Sequence, residues 1–271
     1  MSEETSDTPM PAGRPILELH DAVIGDLHDA DRIVLEDVNW SVAAGDYWVI
    51  GGLHASGKTN LMATLAGIMP PVQGEYRVFG ENVVSRGDPE RAMIWQKLGL
   101  VFDGGRLLQR LTVAENVALP VRYHQNLRMD DVIAQVQTLL EITGLASFAN
   151  RFAGALGRNW QQRVGLARAL ALKPEVLLLD NALTGLDPRD GAWWLEFLDR
   201  LSAGEVIPDG KPMTLIASAD DLRPWRDRAR QFALLKDRRL VVVGDQRKLV
   251  EHPEPLLRDL MPAFSWQVTK G

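Results

Sequence analysis

Short apolar runs typical of β-strands recur along this chain and alternate with longer segments of helical periodicity. Strands are predicted at residues 16–19, 33–35, 38–42, 47–50, 75–80, 98–102, 175–180, 213–218, 232–235 and 239–244. Helices are predicted at 60–66, 112–117, 129–140, 160–172 and 188–201, and Asn159 is the expected N-cap of the fourth. Strands that alternate with helices predict an α/β protein built on a mostly parallel sheet.

The predicted elements divide the chain into three parts. Residues 1–15 are polar, acidic and rich in proline, so we expect a disordered lead segment. Residues 16–250 carry the strands and form one α/β domain, with a helical subdomain inserted at about 105–165. Residues 251–271 form a partly helical tail that ends with aromatic side chains at 264 and 266.

Residues 52–59 match the phosphate-loop pattern, in which a glycine and four further residues precede Gly-Lys-Thr. An apolar strand precedes the loop and a helix follows it, which is the context the pattern requires. Backbone N–H groups of the loop are then expected to surround nucleotide phosphates, with Lys58 on the β- and γ-phosphates and Thr59 on Mg²⁺. The predicted nucleotide contacts are Gly52, Leu53, His54, Ala55, Ser56, Gly57, Lys58, Thr59 and Asn60.

Composition narrows the possible partners and location. The net charge of −6 argues against a nucleic-acid partner, because binding to phosphate backbones needs clustered Lys and Arg. The chain has no cysteine, which excludes disulfides and thiolate chemistry and suits a reducing cytoplasm. No signal peptide opens the chain, and no apolar run approaches the ~20 residues needed to span a bilayer. Any membrane association is therefore expected to go through a partner.

Two long blocks resemble the ATP-binding subunits of ABC transporters. These are GLVFDGGRLLQRLTVAENVALP at 99–120 and LGRNWQQRVGLARALALKPEVLLLDNALTGLDP at 156–188, and with the phosphate loop they place the resemblance over about residues 16–250. The phrases LTVAENVALP and HPEPLLRDLMP further resemble the ATPases of Mla/MCE-type lipid transporters.

The resemblance implies an ABC-type P-loop NTPase fold: a mixed, RecA-like sheet core, an antiparallel β subdomain and an inserted helical subdomain. It also implies a head-to-tail dimer, either homodimer or heterodimer, in which each Mg²⁺-bound ATP lies between one phosphate loop and the partner's signature segment. Closure of such a dimer drives transmembrane permease subunits, so the expected location is the cytoplasmic face of the inner membrane.

The resemblance assigns three positions around the metal ion. Asp180 ends its apolar strand as the Walker B aspartate and would hold Mg²⁺ through water, opposite Thr59. Asp103 occupies the position of the Q-loop glutamine. Its carboxylate could ligate Mg²⁺, or it could simply favour the tight Asp-Gly-Gly turn, and the sequence leaves both open.

Several family positions carry unexpected residues. Asn181 replaces the glutamate that polarises the attacking water, and Ala219 aligns with the switch histidine; the sequence has no histidine between 124 and 252. No catalytic residue is therefore assigned. Gly157, Arg158 and Asn159 replace the small residues that contact the partner's nucleotide, so Arg158 is either a substitute phosphate donor or a solvated side chain.

Substitutions also affect the base and the loop itself. The first aromatic residue is Trp40, so His28 is the only ring near the expected adenine position and stacking is weakened or lost. Ala55 replaces a family glycine and Asn60 a hydroxyl, both mild changes if residue 55 keeps a negative φ.

These observations leave three hypotheses. The chain could be an energy-coupling ATPase that uses unusual groups, such as Asp103 or Asp220, as the base. It could be a pseudo-ATPase that binds Mg-ATP and pairs with a competent paralogue. It could be a structural or regulatory module that uses ATP only as a folding ligand.

Overall fold

The computed structural model describes residues 15–29, 31–206 and 211–262. Nearly all of the predicted lead segment, and the aromatic end of the predicted tail, lie outside the described residues. The ten strands of the described part are β1 Pro15–Gly25, β2 Ile33–Ala43, β3 Tyr47–Gly51, β4 Gln73–Val78, β5 Glu81–Asn82, β6 Leu98–Val101, β7 Val176–Leu179, β8 Thr214–Ala219, β9 Gln231–Lys236 and β10 Arg239–Gly244.

A six-stranded sheet forms the centre of the molecule, in the order β10-β9-β3-β8-β7-β6. Its strands are parallel except β10, which pairs antiparallel with β9. Every residue of β3, β7 and β8 is buried, as expected for parallel strands covered on both faces. A separate antiparallel sheet has the order β2-β1-β4-β5. The predicted mixed sheet with an antiparallel subdomain is confirmed.

The antiparallel strands are longer than the sequence pattern predicted. β1 continues to Gly25 instead of ending at residue 19, and β2 is one strand instead of two. Irregular pairing explains the error, because the register of β1 with β2 shifts several times, as between Leu19 and Ala22. Asp21 and Asp37 adopt left-handed conformations in these strands, which interrupts the alternation of apolar and polar positions.

Eight α-helices accompany the sheets in the described part of the chain. They are α1 Lys58–Leu65, α2 Asp88–Trp95, α3 Val113–Gln125, α4 Met129–Ile142, α5 Arg158–Leu170, α6 Pro188–Ser202, α7 Gln246–Glu251 and α8 Leu256–Leu260. Helix α2 was not predicted, because it buries only Ile94 and so has almost no apolar stripe. The helix now called α3 was predicted to end at Val117, eight residues before its observed end.

The helix starts in the helical subdomain show one correct and one wrong prediction. Thr112 caps α3 in a reciprocal capping box with Glu115, as predicted. The prediction that Asn159 caps the helix now called α5 is wrong, since the helix begins at Arg158 and its N-cap is Gly157. The Asn159 amide group instead donates to Asp190 Oδ2 at 2.7 Å, a charge-assisted hydrogen bond to a carboxylate on α6.

The described part of the predicted tail packs on the central sheet. Leu257, Leu260 and Met261 are fully buried, and the Leu222 N–H donates to the Leu260 carbonyl at 2.9 Å. Leu260 also lies against Gly51, where an added Cβ would come within 2.9 Å of its side chain. Residues 256–261 therefore help to support the strand end from which the phosphate loop starts.

Candidate nucleotide-binding site

The phosphate loop connects the end of β3 to the start of α1, which confirms the predicted strand, loop and helix. Gly57 ends the loop with φ +98°, and an added Cβ there would lie 2.6 Å from Val34. An added Cβ at Gly52 would lie 2.4 Å from Ser56 Oγ. Both glycines are thus required by close packing, and the first-turn N–H groups of α1 remain available at the loop.

Lys58 lies across the loop. Its side chain is 5 % exposed, and Nζ donates to the carbonyl oxygens of Gly52 at 2.6 Å and Leu53 at 2.8 Å. Burial lowers the pKa of Lys58, while the negative charges of Asp220 and Asp180 oppose that change. A phosphate oxygen would give this buried ammonium a charged acceptor in place of two carbonyls.

Ser56 Oγ is buried and has no hydrogen-bond partner among the described residues. A buried hydroxyl without a partner is costly, so its position in this loop indicates a ligand that supplies an acceptor or a donor. With the buried Lys58, the loop contains the polar groups that a phosphate needs.

Thr59 and Asp180 meet at the position predicted for Mg²⁺. The Thr59 hydroxyl donates to Asp180 Oδ2 at 2.9 Å, and the Ser218 hydroxyl donates to Asp180 Oδ1 at 3.0 Å. Burial raises the pKa of Asp180, and the negative charge of Asp103 raises it further. The hydrogen bonds from the Thr59 and Ser218 hydroxyls and the positive charge of Lys58 act in the opposite direction. One hydroxyl and one carboxylate fit Mg²⁺, which usually keeps water and phosphate oxygens as its other ligands.

No group of three or more acidic, His or Cys side chains could hold a metal in the part of the chain that the structure describes. Asp103 in particular is not gathered into such a group. Its exposed carboxylate forms an ion pair with the Arg158 guanidinium, while Gly104 and Gly105 complete the turn. Asp103 and Arg158 lie 55 residues apart in the chain, so the sequence contains no signal that they pair.

Asn181 directly follows Asp180 at the end of β7, and Ala219 is the last residue of the neighbouring β8. Asn181 adopts φ +50° and donates its N–H to Ser218 Oγ at 3.1 Å, while its buried Oδ1 has no partner in the residues described. The Ala219 carbonyl accepts from the Gly52 N–H at 3.1 Å. Ser218, which was not predicted as a site residue, thus links Asp180 to Asn181.

One of the two loop substitutions differs from expectation, and the other has a hydrogen-bond partner in its own chain. Ala55 has φ +62°. The replacement of glycine by alanine would be mild only at a negative φ, so this substitution is not mild. A left-handed alanine costs about 1–2 kcal/mol. The Asn60 side chain donates to the Gly25 carbonyl at 3.2 Å, which ties α1 to the end of β1.

A cavity of about 690 Å³ lies beside the loop. Leu53, Ala55 and Ser56 line one side of it, and Ile33 and Val34 line another. Its volume is in the range of small-molecule sites. His28, the only ring considered for adenine, is exposed and does not line this cavity.

Residues 156–160, which occupy the position of the family's signature segment and are given that name below, are fixed to α6. Asp190 accepts from Asn159 and, through Oδ1, from Arg163 at 2.8 Å. The Arg163 guanidinium lies 3.6 Å from the centroid of Trp193, so this tryptophan stacks on a buried cation. Of the three predicted partner contacts, Gly157 and Arg158 are exposed and Asn159 is held by its own chain.

Comparison with known families identifies the fold. A model of the ABC transporter family matches residues 35–184, more than half of the chain. The chain belongs to the ABC transporter ATP-binding family. No helix among the described residues of this ABC protein is both long and apolar enough to cross a membrane.

Curated relatives of this ABC protein include methionine import ATP-binding proteins MetN. The Bifidobacterium longum MetN is 30 % identical over 220 residues, which are 81 % of this chain and 53 % of the relative. MetN 2 of Shouchella clausii is 28 % identical over 84 % of this chain and 65 % of its own length. The chain thus spans about half to two thirds of these relatives. They are named for methionine import, so the finer resemblance to Mla/MCE-type lipid ATPases is not supported.

Solved structures confirm the ABC-type fold. CbiO1 of Clostridium perfringens, part of the ABC transporter complex cbiONQ, has a TM-score of 0.73 at 20 % identity and covers 88 % of this chain and 92 % of its own. An ATP-binding cassette solved as a dimer with ADP and phosphate, in a post-hydrolysis state, has a TM-score of 0.73 at 26 % identity over 83 % of this chain and 96 % of its own.

Proposed function

We propose that this chain binds Mg-ATP as the nucleotide-binding subunit of an ABC transporter complex, and that it hydrolyses ATP slowly or not at all. The 2.9 Å contact between Thr59 and Asp180, beside the buried Lys58, carries the binding half of the proposal. Lys58 and the Ser56 hydroxyl, which has no partner among the residues described, face bound phosphates, and Thr59 and Asp180 hold the metal ion, which neutralises phosphate charge.

Asn181 and Ala219 support the slow-hydrolysis half. The Asn181 amide can orient a water but cannot accept its proton, and general-base help is typically worth about 10²–10⁴-fold in rate. Ala219 offers only a backbone carbonyl, already bonded to Gly52, in place of a side chain that reaches the γ-phosphate.

The proposed complex contains transmembrane permease subunits and a second ATP-binding subunit, which is either a copy of this chain or a competent paralogue. We place the chain at the cytoplasmic face of the inner membrane, bound there through the permease. The MetN relatives make an importer of a small solute the first kind of complex to test. In a pair with a competent paralogue, that partner's intact segment would close over this chain's phosphate loop.

The test is ATP binding and single-turnover hydrolysis by the purified chain, with Lys58→Ala as the blank. We expect Mg-ATP binding at micromolar strength and a rate about 10²-fold or more below the ~10 s⁻¹ of a median enzyme. A rate near that median, abolished by Lys58→Ala, would overturn the slow-hydrolysis half and make Asp103 and Asp220 the bases to mutate. Absence of binding would overturn the whole proposal and leave a structural role.

A further inference from the structure

Three loops meet at the Arg158 side chain. Its guanidinium pairs with Asp103 in the turn after β6. An added Cβ at Gly104 would lie 3.4 Å from Arg158 Nη1, and one at Gly185 would lie 3.8 Å from Arg158 Nε. The side chain therefore extends from the start of α5 across the turn after β6 and past the turn that precedes α6.

This ion pair contributes little to stability. The side chains of Arg158 and Asp103 are 52 % and 41 % exposed, and exposed pairs of this kind are weak. Its effect is instead on orientation, because an unrestrained arginine samples many rotamers and loses that freedom when it binds. Asp103 contacts Nη2, while a guanidinium has five N–H donors, so donors remain for a second anion.

The rest of the signature segment cannot supply such a donor. Asn159 is engaged by Asp190, and Gly157 has no side chain. Arg163 is buried between Asp190 and Trp193. The structure describes the first two turns of α5 completely. Arg158 is the one cationic side chain in these two turns that is half exposed to solvent.

We propose that Asp103 is a positioning residue, which holds Arg158 ready to bind the γ-phosphate of a nucleotide on a second copy of this chain. This inference rests on the proposed function, because it requires a nucleotide in the partner's phosphate loop. The guanidinium then replaces, by charge, the close approach that small residues would give at this segment. Asp103 acts through Arg158 and takes no part in holding Mg²⁺.

The experiment measures the dimer Kd by sedimentation in Mg²⁺ and a non-hydrolysable ATP analogue, with analogue binding to the monomer measured separately. The variants are Arg158→Gln, Asp103→Asn, Asp103→Glu and the double variant Asp103→Asn/Arg158→Gln. Arg86→Gln is the matched control, because Arg86 is a similarly exposed arginine paired with Glu81 at 3.2 Å. Thermal melts confirm that each variant is folded.

We expect Arg158→Gln to raise the dimer Kd about 100-fold over the two symmetric sites, and Asp103→Asn about tenfold. Asp103→Glu keeps the charge and should return the Kd to within about threefold of the wild type. The double variant should be no weaker than Arg158→Gln alone, because Asp103 acts only through that arginine. Arg86→Gln should leave the Kd unchanged.

Opposite outcomes overturn the inference. A tighter dimer of Asp103→Asn would show that Asp103 competes with the phosphate for Arg158. A changed Mg²⁺ dependence of analogue binding by the Asp103→Asn monomer would make Asp103 a metal ligand. A wild-type chain that binds the analogue but forms no dimer would overturn this inference and leave nucleotide binding intact, whereas no analogue binding would overturn the proposed function itself.

Discussion

The phosphate loop and the signature segment of this chain use their polar groups in opposite ways. In the loop, Ser56 Oγ is buried without a partner among the described residues, and Lys58 is held only by neutral carbonyls. In the signature segment, Asn159 and Arg158 are already paired with carboxylates of their own chain. The loop is thus arranged to receive an anion, whereas the segment is arranged first to bind itself.

This difference separates binding from turnover. In the function we propose, Lys58, Thr59 and Asp180 hold a nucleotide and its metal ion without a group from another subunit. Hydrolysis needs a base and a group that senses the γ-phosphate, and Asn181 and Ala219 offer neither. We therefore expect substitutions in the two regions to change different measurements, and the predictions below test that division.

The largest expected effect is a gain of hydrolysis in Asn181→Glu. A carboxylate at this position could accept the proton of the attacking water, so single-turnover rates should rise about 10²-fold or more. Asn181→Gln adds similar length without charge and should stay at the wild-type rate. Because residue 181 has φ +50°, glutamate there also costs about 1–2 kcal/mol of stability, which a melt would detect. An unchanged rate in a folded Asn181→Glu protein would contradict the assignment of this position.

Lys58→Ala should weaken ATP binding about 30- to 100-fold, as measured by calorimetry. The variant loses charge-assisted hydrogen bonds to the phosphates, which are typically worth about 1.5–3 kcal/mol. Lys97→Ala is the control, since Lys97 forms an exposed ion pair with Glu175 at 3.2 Å, away from the loop. Equal affinities for both variants would mean that the nucleotide does not occupy the phosphate loop.

Asp180→Asn should remove most of the Mg²⁺ dependence of ATP binding, a change of about tenfold in affinity. The pH profile provides a second readout. Burial raises the pKa of Asp180 above 3.8, so the wild type should lose its Mg²⁺ dependence on acidification at a higher pH than an ordinary aspartate would. Acid is expected to abolish the Mg²⁺ dependence because protonation of Asp180 removes the charge that holds the metal.

The same raised pKa has a consequence for folding. An aspartate with a higher pKa in the folded than in the unfolded state destabilises the fold at neutral pH, and this cost disappears as the pH falls below both values. Asp180→Asn should therefore melt at least as high as the wild type at pH 7 and lose that advantage in acid. A variant that keeps full Mg²⁺ dependence would contradict the metal assignment.

The sequence predicted the elements that have strong local signals. The phosphate loop, the buried strands and the Thr112 capping box all follow from short-range patterns. What it missed depends on tertiary contacts: Asp103 pairs with an arginine 55 residues away, and Ser218 joins two residues from another strand end. Asn159 was assigned as a cap from its residue type, while the structure gives it a carboxylate partner on α6.

The sequence pattern also did not predict the backbone conformation of individual residues. The variant Ala55→Gly tests the conformation of residue 55, and it has the smallest expected effect of the variants considered. Ala55 has φ +62°, where glycine has no steric penalty, whereas Ala66 at the end of α1 has φ −78°. Ala55→Gly should therefore stabilise the fold by about 0.5–1 kcal/mol, or ~1–4 °C in Tm. Ala66→Gly, the matched control, should destabilise it by a similar amount. If both variants lower the Tm, the loop does not hold residue 55 in this conformation.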